Sequence, residues 1–371
     1  MAVTSSLDQP PVLFEGSVLS LRRTGVAQYA ANLAIGLARL GLPVATLLSA
    51  KDVPGSYHDD LEAAGVALRR PKQLLEKAYW AADRLWPPPA YEHLAGPARV
   101  LLFPNNRSFP TKAPQIATIH DLVQLLHPDC IDPGWATRVE ARVRHIVERA
   151  DVILADTHTV AAEIQEAYGV DASRIAIVPC APAVLPKPRP GDRVPRPGAI
   201  IAVGTLERRK NLVRLIAAHR LLSPELRQDH PLLLIGGPGY GSEEIVAAIA
   251  GDEHIRIERG VDQHALAALF ASAAMMVQPS LYEGFGMPPV EALATTLPLV
   301  CSNIPVLVEV TFGLADAYVD PYDPTDIARG ISEVLTISRA EVAAKRAAHT
   351  SPYSWEHSAE LLKGVIESLD R

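Results

Sequence analysis

The sequence is poor in cysteine and aromatic residues, and it has no long apolar stretch. Its three cysteines lie far apart and form no C-x-x-C pair, so the sequence predicts neither a disulfide framework nor a zinc site. No stretch of about 18 residues is free of both charge and proline. The first residues do not combine a basic region with an apolar core. We therefore expect a cytoplasmic protein with neither a secretion signal nor a membrane-spanning helix.

The sequence also lacks an excess of basic charge. The formal net charge is −7, and residues 1–189 carry equal numbers of basic and acidic side chains, so the acidic excess lies in the second half. General nucleic-acid binders offset phosphate charge with a basic surface, which argues against such a partner here. With 371 residues, of which 48% are hydrophobic and 21% charged, the chain is typical of a globular protein with two domains.

Proline marks a division near the middle of the chain. Residues 182–197 contain six prolines and show neither helical nor strand periodicity, which predicts a semi-rigid linker. Short apolar runs alternate with helical patterns on both sides of it, and this alternation predicts two α/β domains with helix-covered parallel sheets. Ligands of such sheets bind beyond the carboxyl ends of the strands, so we expect a cleft between two facing domains.

Two glutamates flank a glycine-rich turn in the segment EGFGMPPVE, from Glu283 to Glu291. The glycines allow a ligand to approach the backbone, and Pro288 and Pro289 suit the first turn of a helix whose free N–H groups could bind a phosphate. Because carboxylates in direct contact with a phosphate would repel it, we expect the glutamates to accept hydrogen bonds from neutral hydroxyls of a sugar and a ribose. The alternative is that they are favourable charges at a helix start.

A second motif, GTLERRKN over residues 204–211, places three cations where a strand gives way to a helix that Asn211 is expected to cap. Cations at a helix start oppose the helix dipole unless an anion offsets them, and a diphosphate would be such an anion. Arg209 and Lys210 adjoin the helix and are better candidates than Arg208. The alternative is a solvated run of charges.

Together with RRTGVAQYAANLAIGLARLG, TIHDL and YSWEHSAELL, these motifs resemble the family 4 glycosyltransferases over essentially the whole chain. The family consists of retaining transferases that use nucleoside diphosphate sugars and have the GT-B fold, in which two Rossmann-like, doubly wound domains face a central cleft. The resemblance implies an acceptor-binding domain over 1–185, a linker over 186–198 and a nucleotide-sugar-binding domain over 199–350. A final helix over 351–371 would cross back to the first domain.

The resemblance also implies roles for individual residues. Arg209 and Lys210 would hold the donor diphosphate as the leaving group, Glu283 would contact the transferred sugar, and Glu291 would contact the ribose. His120 of TIHDL would lie at the reacting face of the sugar; the alternative is a structural hydrogen bond to its own loop. The resemblance implies further contacts with the donor at Gly25, Gly204, Val261, Gly284, Phe285 and Gly286.

The forms GTLERRKN and RTGVAQYAANL are most similar to enzymes of bacterial surface-polysaccharide assembly, many of them mannosyltransferases that use GDP-mannose. This implies transfer of a mannosyl group to a hydroxyl of a saccharide or lipid-linked acceptor, with retention and without a metal or other cofactor. The alternatives are a UDP-glucose or other UDP-hexose transferase, a UDP-N-acetylglucosamine 2-epimerase on the same fold, and a non-catalytic partner subunit. The arginines of residues 138–149 predict a solvated helix or, alternatively, docking on an anionic membrane face or a pyrophosphate-linked acceptor.

Overall fold

The computed structural model describes residues 10–20, 24–49, 57–72, 77, 90–183, 185–189 and 196–370. The chain divides into two compact units. The first comprises Met1–His120, Arg138–Ala181 and Pro352–Arg371, and the second comprises Asp121–Thr137 and Pro182–Ser351. Part of the predicted linker, at 184 and 190–195, lies outside the described residues, as do the two arginines that open the RRTGVAQYAANL motif.

The described strands are short, and most coincide with the apolar runs of the sequence. They are β1 (Val12–Glu15), β2 (Val44–Leu47), β3 (Ala67–Arg69), β4 (Val100–Phe103), β5 (Gln115–Ile119), β6 (Val152–Ala155), β7 (Ile175–Ile177), β8 (Ile200–Val203), β9 (Leu232–Ile235), β10 (Ile255–Glu258), β11 (Met275–Gln278), β12 (Leu299–Ser302) and β13 (Ala317–Val319).

Most of the described strands are followed by one or more α-helices. The helices are α1 (Gly25–Arg39), α2 (His58–Ala63), α3 (Glu92–Ala95), α4 (Val123–Leu126), α5 (Pro133–Arg149), α6 (His158–Tyr168), α7 (Leu212–Leu221), α8 (Pro224–Asp229), α9 (Ser242–Ile249), α10 (Gln263–Ser272), α11 (Met287–Leu293), α12 (Pro305–Val310), α13 (Pro324–Val334), α14 (Arg339–Arg346) and α15 (Trp355–Ser368). Within the described ranges, none of them is long and apolar enough to cross a membrane.

The first unit contains a seven-stranded sheet in the order β3-β2-β1-β4-β5-β6-β7, and its paired strands are parallel. The apolar run over residues 12–19 predicts one longer strand, but β1 ends at Glu15 and a 3-10 turn follows. Gly16 explains the break. Its N–H donates to the Leu47 carbonyl, and a Cβ at Gly16 would lie 2.2 Å from Thr46 Oγ1, so only glycine fits where the chain turns away.

The last helix of the chain packs within the first unit. A Cβ at Gly36 of α1 would lie 2.4 Å from the Cβ of Ala359 in α15, so the two helices approach closely because Gly36 has no side chain. The Ser358 hydroxyl, which is fully buried, donates to the Pro179 carbonyl at 2.8 Å. Close packing of small residues and a buried hydrogen bond therefore contribute to the contacts of α15 within the first unit.

The second unit contains a six-stranded sheet in the order β10-β9-β8-β11-β12-β13, again with parallel pairs. Its core is built from the buried apolar residues of β8, β9 and β11 and from the inner faces of α7 and α13. Such strands are apolar throughout because helices cover both faces of the sheet. Asp262 caps α10 through its carboxylate, as the sequence predicts. Ser242 does not cap α9 but is its first residue, after Gly241.

The boundary between the units differs from the predicted division at residue 185. The segment Asp121–Thr137 belongs to the second unit although it lies in the first half of the chain. Within that unit, the Leu122 N–H donates to the Tyr282 hydroxyl at 2.9 Å, and the Arg208 guanidinium donates to the Asp129 carbonyl at 3.2 Å. Hydrophobic periodicity cannot reveal these contacts, because they join segments about 80 or more residues apart.

Candidate active site

The loop after β8 brings the predicted cationic run to the carboxyl end of the second sheet. Gly204 ends the strand with a φ of +139°, and a Cβ at this position would lie 3.3 Å from Lys210 Cε. The absence of a side chain therefore lets the Lys210 stem pass close to the backbone. Arg208, Arg209 and Lys210 form a single 3-10 turn before α7.

Asn211 has a different role from the predicted helix cap. Its backbone is left-handed, with a φ of +59°, and its side chain makes no capping hydrogen bond to α7. The buried amide instead donates to the carbonyls of Pro279 and Pro321, at 2.9 and 2.6 Å. Asn211 therefore links the cationic loop to the segments that contain Pro279 and Pro321. Asparagine suits this position because it tolerates the left-handed conformation better than most residues.

Glu283 lies at the centre of a buried polar cluster. Its Oε1 accepts hydrogen bonds from Lys210 Nζ at 2.6 Å, from Ser280 Oγ at 2.7 Å and from Gln278 Nε2 at 2.8 Å. Its Oε2 accepts one from Arg209 Nη1 at 2.5 Å. One carboxylate thus holds both predicted diphosphate ligands, and the four donors fix its orientation.

Electrostatics favours the ionised form of this cluster. Burial alone would raise the pKa of Glu283, but the Lys210 and Arg209 charges and the hydrogen bonds outweigh it and lower the pKa to about 2. Burial lowers the pKa of Lys210, against the opposing attraction of Glu283. Two cations, Arg209 and Lys210, therefore lie side by side on one buried carboxylate.

Arg208 is turned away from this cluster. It forms an ion pair with Glu244 and lies over the Tyr240 ring, with its Cζ 5.1 Å from the ring centroid. Arg209 has a second partner in Glu207, whose carboxylate lies 2.6 Å from its Nε. The structure therefore separates the three cations, with Arg209 and Lys210 together on Glu283 and Arg208 beside Tyr240 and Glu244.

The second glutamate of the motif has different surroundings. Glu291 lies in α11, which begins after Gly286, a glycine with a φ of +92° that contacts Leu307. The Glu291 carboxylate is 8% exposed and accepts one backbone hydrogen bond, from the Ala183 N–H at 3.4 Å. Burial raises its pKa, and that single donor offsets the effect only in part. Between the two glutamates, Phe285 of the turn is also buried.

Arg346 supports the helix that carries Glu291. This buried guanidinium donates to the carbonyls of Ala292 and Leu297, at 3.1 and 2.9 Å, and is paired with Asp316 at 2.7 Å. It therefore satisfies free carbonyl groups at the carboxyl end of α11. Nothing in the local sequence pattern predicts this contact, because Arg346 lies more than fifty residues beyond the motif.

The first unit holds two of the predicted residues. Gly25 is the first residue of α1, after Thr24, whose hydroxyl accepts a hydrogen bond from the Ala27 N–H. His120 directly follows β5, and its Nδ1 lies 2.7 Å from Oδ2 of Asp156 at the end of β6. The remaining predicted contact, Val261, precedes the cap of α10 in the second unit.

Sequence reasoning missed three members of these clusters: Gln278, Ser280 and Asp156. Each is buried and lies within or directly after a strand. A signal was available, because a polar residue in or after an apolar run at the carboxyl edge of a parallel sheet is a candidate for a ligand site. The pairing of Gln278 and Ser280 with Glu283 was not predictable, since it depends on the path of the turn.

Comparison with known proteins defines the class to which this fold and site belong. The family model described as "Glycosyl transferases group 1" matches residues 189–351, and that described as "Glycosyl transferase 4-like domain" matches residues 24–181. The structure is similar to that of sucrose-phosphate synthase from Thermosynechococcus elongatus, with a TM-score of 0.72 and 18% identity over 98% of this chain and 99% of that one. The fold is therefore GT-B, with two Rossmann-like parallel-sheet units.

Proteins of similar sequence identify the family within this class. The chain is 30% identical to O-antigen chain mannosyltransferase B of Escherichia coli over 65% of its own length and 67% of that protein. It is also 30% identical to the serotype-specific mannosyltransferase WbdA of Escherichia coli, over 69% of this chain but only 33% of the relative. The chain belongs to the group 1, or family 4, glycosyltransferases, and it is an enzyme that transfers glycosyl groups.

Proposed function

We propose that this enzyme transfers a mannosyl group from GDP-mannose to a hydroxyl of a saccharide or lipid-linked acceptor, in the assembly of a bacterial surface polysaccharide. The mannosyltransferases to which the chain is similar support this choice of sugar. The single observation that carries the proposal is the Arg209–Lys210–Glu283 cluster. Two adjacent cations held in fixed positions in a buried site are suited to stabilise a leaving diphosphate.

The diphosphate would bind to Arg209 and Lys210, beside the backbone at Gly204. Both cations are held on Glu283, so their positions are fixed before a ligand arrives, and their charge needs no rearrangement when the leaving group forms. Lys210 is only 8% exposed, and Coulomb attraction is stronger where water is excluded. Gly284, Phe285 and Gly286 would complete the phosphate site through their backbone.

The two glutamates would bind hydroxyl groups at different ends of the donor. Glu283 uses Oε1 for three donors, so a sugar hydroxyl would bind to Oε2, which accepts one hydrogen bond within the described residues. Glu291 accepts one long backbone hydrogen bond and has acceptor capacity for the ribose hydroxyls. Val261 would contact the base, and Gly25 would let its loop meet the diphosphate.

The transfer would proceed with retention at the anomeric carbon. The bond from this carbon to the phosphate oxygen breaks, the acceptor oxygen bonds on the same face, and the acceptor proton passes to the leaving phosphate. The anomeric centre would have oxocarbenium character at this stage. The enzyme contributes position and charge, and His120 would lie near the reacting face of the sugar.

We further propose that the reaction needs no metal, since two cations already offset the diphosphate charge. Three side chains with ligand atoms do lie within 4.8 Å of one another in the described part of the second unit: His127, Asp129 and Cys130. Burial raises the pKa of the Cys130 thiol to about 11. A thiol must lose its proton to bind a metal, so this group is poorly suited to one near neutral pH.

The enzyme would act in the cytoplasm, with peripheral contact at the inner membrane face through α5. This helix packs Val139, Val143 and Ile146 inward and carries arginines at 138, 142, 144 and 149. Arg144 is paired with Glu140 at 2.9 Å, which reduces the charge available to anionic lipid. A contact through the other arginines would therefore be weak and sensitive to salt.

A panel of nucleoside diphosphates tests the donor. GDP, UDP, ADP and dTDP are compared by thermal shift at equal concentrations, and a ligand at 100 times its dissociation constant stabilises the folded protein by about 2.7 kcal/mol. We expect GDP to give the largest shift and GDP-mannose to support transfer to a mannoside acceptor. A larger shift with UDP, together with turnover of a UDP-hexose, would show that the donor is a UDP-hexose. The assignment of the site residues would then stand.

A further inference from the structure

His120 presents both ring nitrogens to groups that accept hydrogen bonds. Nδ1 lies 2.7 Å from Asp156 Oδ2, and Nε2 lies 2.9 Å from the carbonyl oxygen of Pro104. The three residues belong to the first unit and follow the carboxyl ends of neighbouring strands, β5, β6 and β4. Both separations are normal hydrogen-bond lengths.

The partners determine where the protons lie. A carbonyl oxygen can only accept, so the hydrogen bond to Pro104 requires a proton on Nε2. An ionised carboxylate also only accepts, so the hydrogen bond to Asp156 requires a proton on Nδ1. Neutral imidazole carries one N–H, whereas imidazolium carries two. We propose that His120 is held as an imidazolium, with Asp156 as the positioning residue and counter-ion that keeps it charged.

The surroundings of Asp156 favour this charge state. The Asp156 side chain is 3% exposed, and within the described part of the chain its Oδ1 has no hydrogen-bond partner. A buried carboxylate with few donors is stabilised by an adjacent cation, and His120 is the basic side chain that the described residues place against it. The other possible arrangement places the proton on Asp156, which would then donate to a neutral imidazole.

The neighbouring ionisable groups are neutral. Tyr29 of α1 lies edge-on to the His120 ring, with centroids 5.0 Å apart, and its hydroxyl donates to the Val178 carbonyl. Cys180, after β7, is the other such group near Asp156. Burial and the Asp156 charge raise the pKa of both Tyr29 and Cys180. Neither Tyr29 nor Cys180 therefore contributes a charge to this cluster near neutral pH.

A charged His120 affects catalysis in a way that rests on the proposed function, because that function places His120 beside the transferred sugar. An imidazolium with both N–H groups engaged has no lone pair with which to take the proton of an acceptor hydroxyl. His120 would instead supply a fixed positive charge. That leaves the departing phosphate as the proton acceptor.

Nitrogen-15 NMR of histidine-labelled protein tests the protonation state without any sugar or nucleotide. The His120 signals are assigned by their loss in His120→Gln. At pH 8 we expect both ring nitrogens to show the shifts of protonated nitrogen. The titration midpoint should lie about two to three pH units above the ordinary value near 6.5. One unprotonated nitrogen at pH 8 in the unmodified protein would overturn the proposal.

Two variants separate the role of Asp156 from a general loss of structure. Asp156→Asn should lower the midpoint to the ordinary value or below, whereas Asp171→Asn, a capping aspartate of the same unit, should leave it unchanged. An unchanged midpoint in folded Asp156→Asn would refute Asp156 as the counter-ion. If transfer from GDP-mannose fails while the imidazolium is observed, the donor assignment is wrong and the present proposal stands.

Discussion

Glu283 and Glu291 stand eight positions apart in one motif, and both carboxylates are buried, yet their surroundings are opposite. Glu283 accepts four hydrogen bonds, two of them from cations, and its pKa falls to about 2. Glu291 accepts one backbone hydrogen bond at 3.4 Å, and burial raises its pKa. The carboxylate of Glu283 therefore holds the cationic side chains in place, whereas that of Glu291 keeps its acceptor capacity for a ligand.

The largest expected effect on stability is that of Glu283→Ala. Removal of this carboxylate leaves Lys210 buried without its anion, so the free energy of unfolding at pH 7 should fall by about 3–5 kcal/mol. Denaturant titration measures it, with Glu244→Ala as the control because Glu244 forms an exposed pair with Arg208. A stability equal to that of the control would show that the cluster is not held together by Glu283.

The pH dependence of the same cluster follows from the lowered pKa. Glu283 titrates near 4.5 when unfolded and about 2 when folded, so its contribution is present above pH 4.5 and disappears as the pH falls through 2. This shift corresponds to about 3 kcal/mol. Unfolding of the unmodified protein and of Glu283→Gln between pH 2 and 7 should therefore converge at the acid end. A constant difference would contradict the assignment.

Lys210→Ala should slow transfer by about a hundredfold. It removes a buried charge from the leaving group, and the loss of one such group costs on the order of 3 kcal/mol in the barrier. Arg208→Ala is the matched control, because Arg208 adjoins the same turn but is paired with Glu244. Steady-state kinetics of both variants provide the comparison, and equal losses would place the leaving group elsewhere.

Much of the fold was predictable, because each buried parallel strand is a short apolar run and each helix has its own periodicity. The composition of the candidate site was also predictable in part. Arg209, Lys210 and Glu283 do meet, whereas their assigned contacts with a donor stay predictions. The predicted capping role of Asn211 was wrong, because its amide donates to the Pro279 and Pro321 carbonyls and does not cap α7. Tertiary hydrogen bonds of this kind override local capping propensity.

The segment Asp121–Thr137 shows a second limit. Its sequence continues the strand and helix pattern of the first half, and tertiary contacts such as the hydrogen bond from Leu122 to Tyr282 reveal that it belongs with the second unit. Hydrophobic patterns report which face of an element is buried. They do not report which unit buries it.

Glu291→Gln should raise the stability at pH 7, whereas the Glu283 variants should lower it. The folded pKa of Glu291 is raised, so the unmodified protein loses stability as the pH rises from about 4.5 through that pKa. Glutamine carries no charge to desolvate, so the variant should be more stable at pH 7 and equal to the unmodified protein below pH 4. The difference should grow by about 1.4 kcal/mol per pH unit within the window. A less stable variant at pH 7 would contradict the inferred desolvation.

The smallest expected effect is that of a chelator. If Arg209 and Lys210 offset the diphosphate charge, EDTA should leave transfer unchanged, and added manganese should not raise it. The assay uses the protein after dialysis against EDTA. Loss of activity that manganese restores would show that these cations do not suffice.

Titration calorimetry shows whether the two glutamates bind different parts of the donor. GDP is titrated into Glu283→Gln and Glu291→Gln, and transfer from the intact donor is measured beside it. We predict that Glu291→Gln weakens GDP binding by about tenfold or more, as expected for hydrogen bonds to a charged group. Glu283→Gln, whose amide oxygen can still accept hydrogen bonds from the two cations, should change the GDP affinity much less than Glu291→Gln does and should lose transfer. Equal losses of GDP affinity in both variants, or no loss in either, would show that the two glutamates do not bind different parts of the donor.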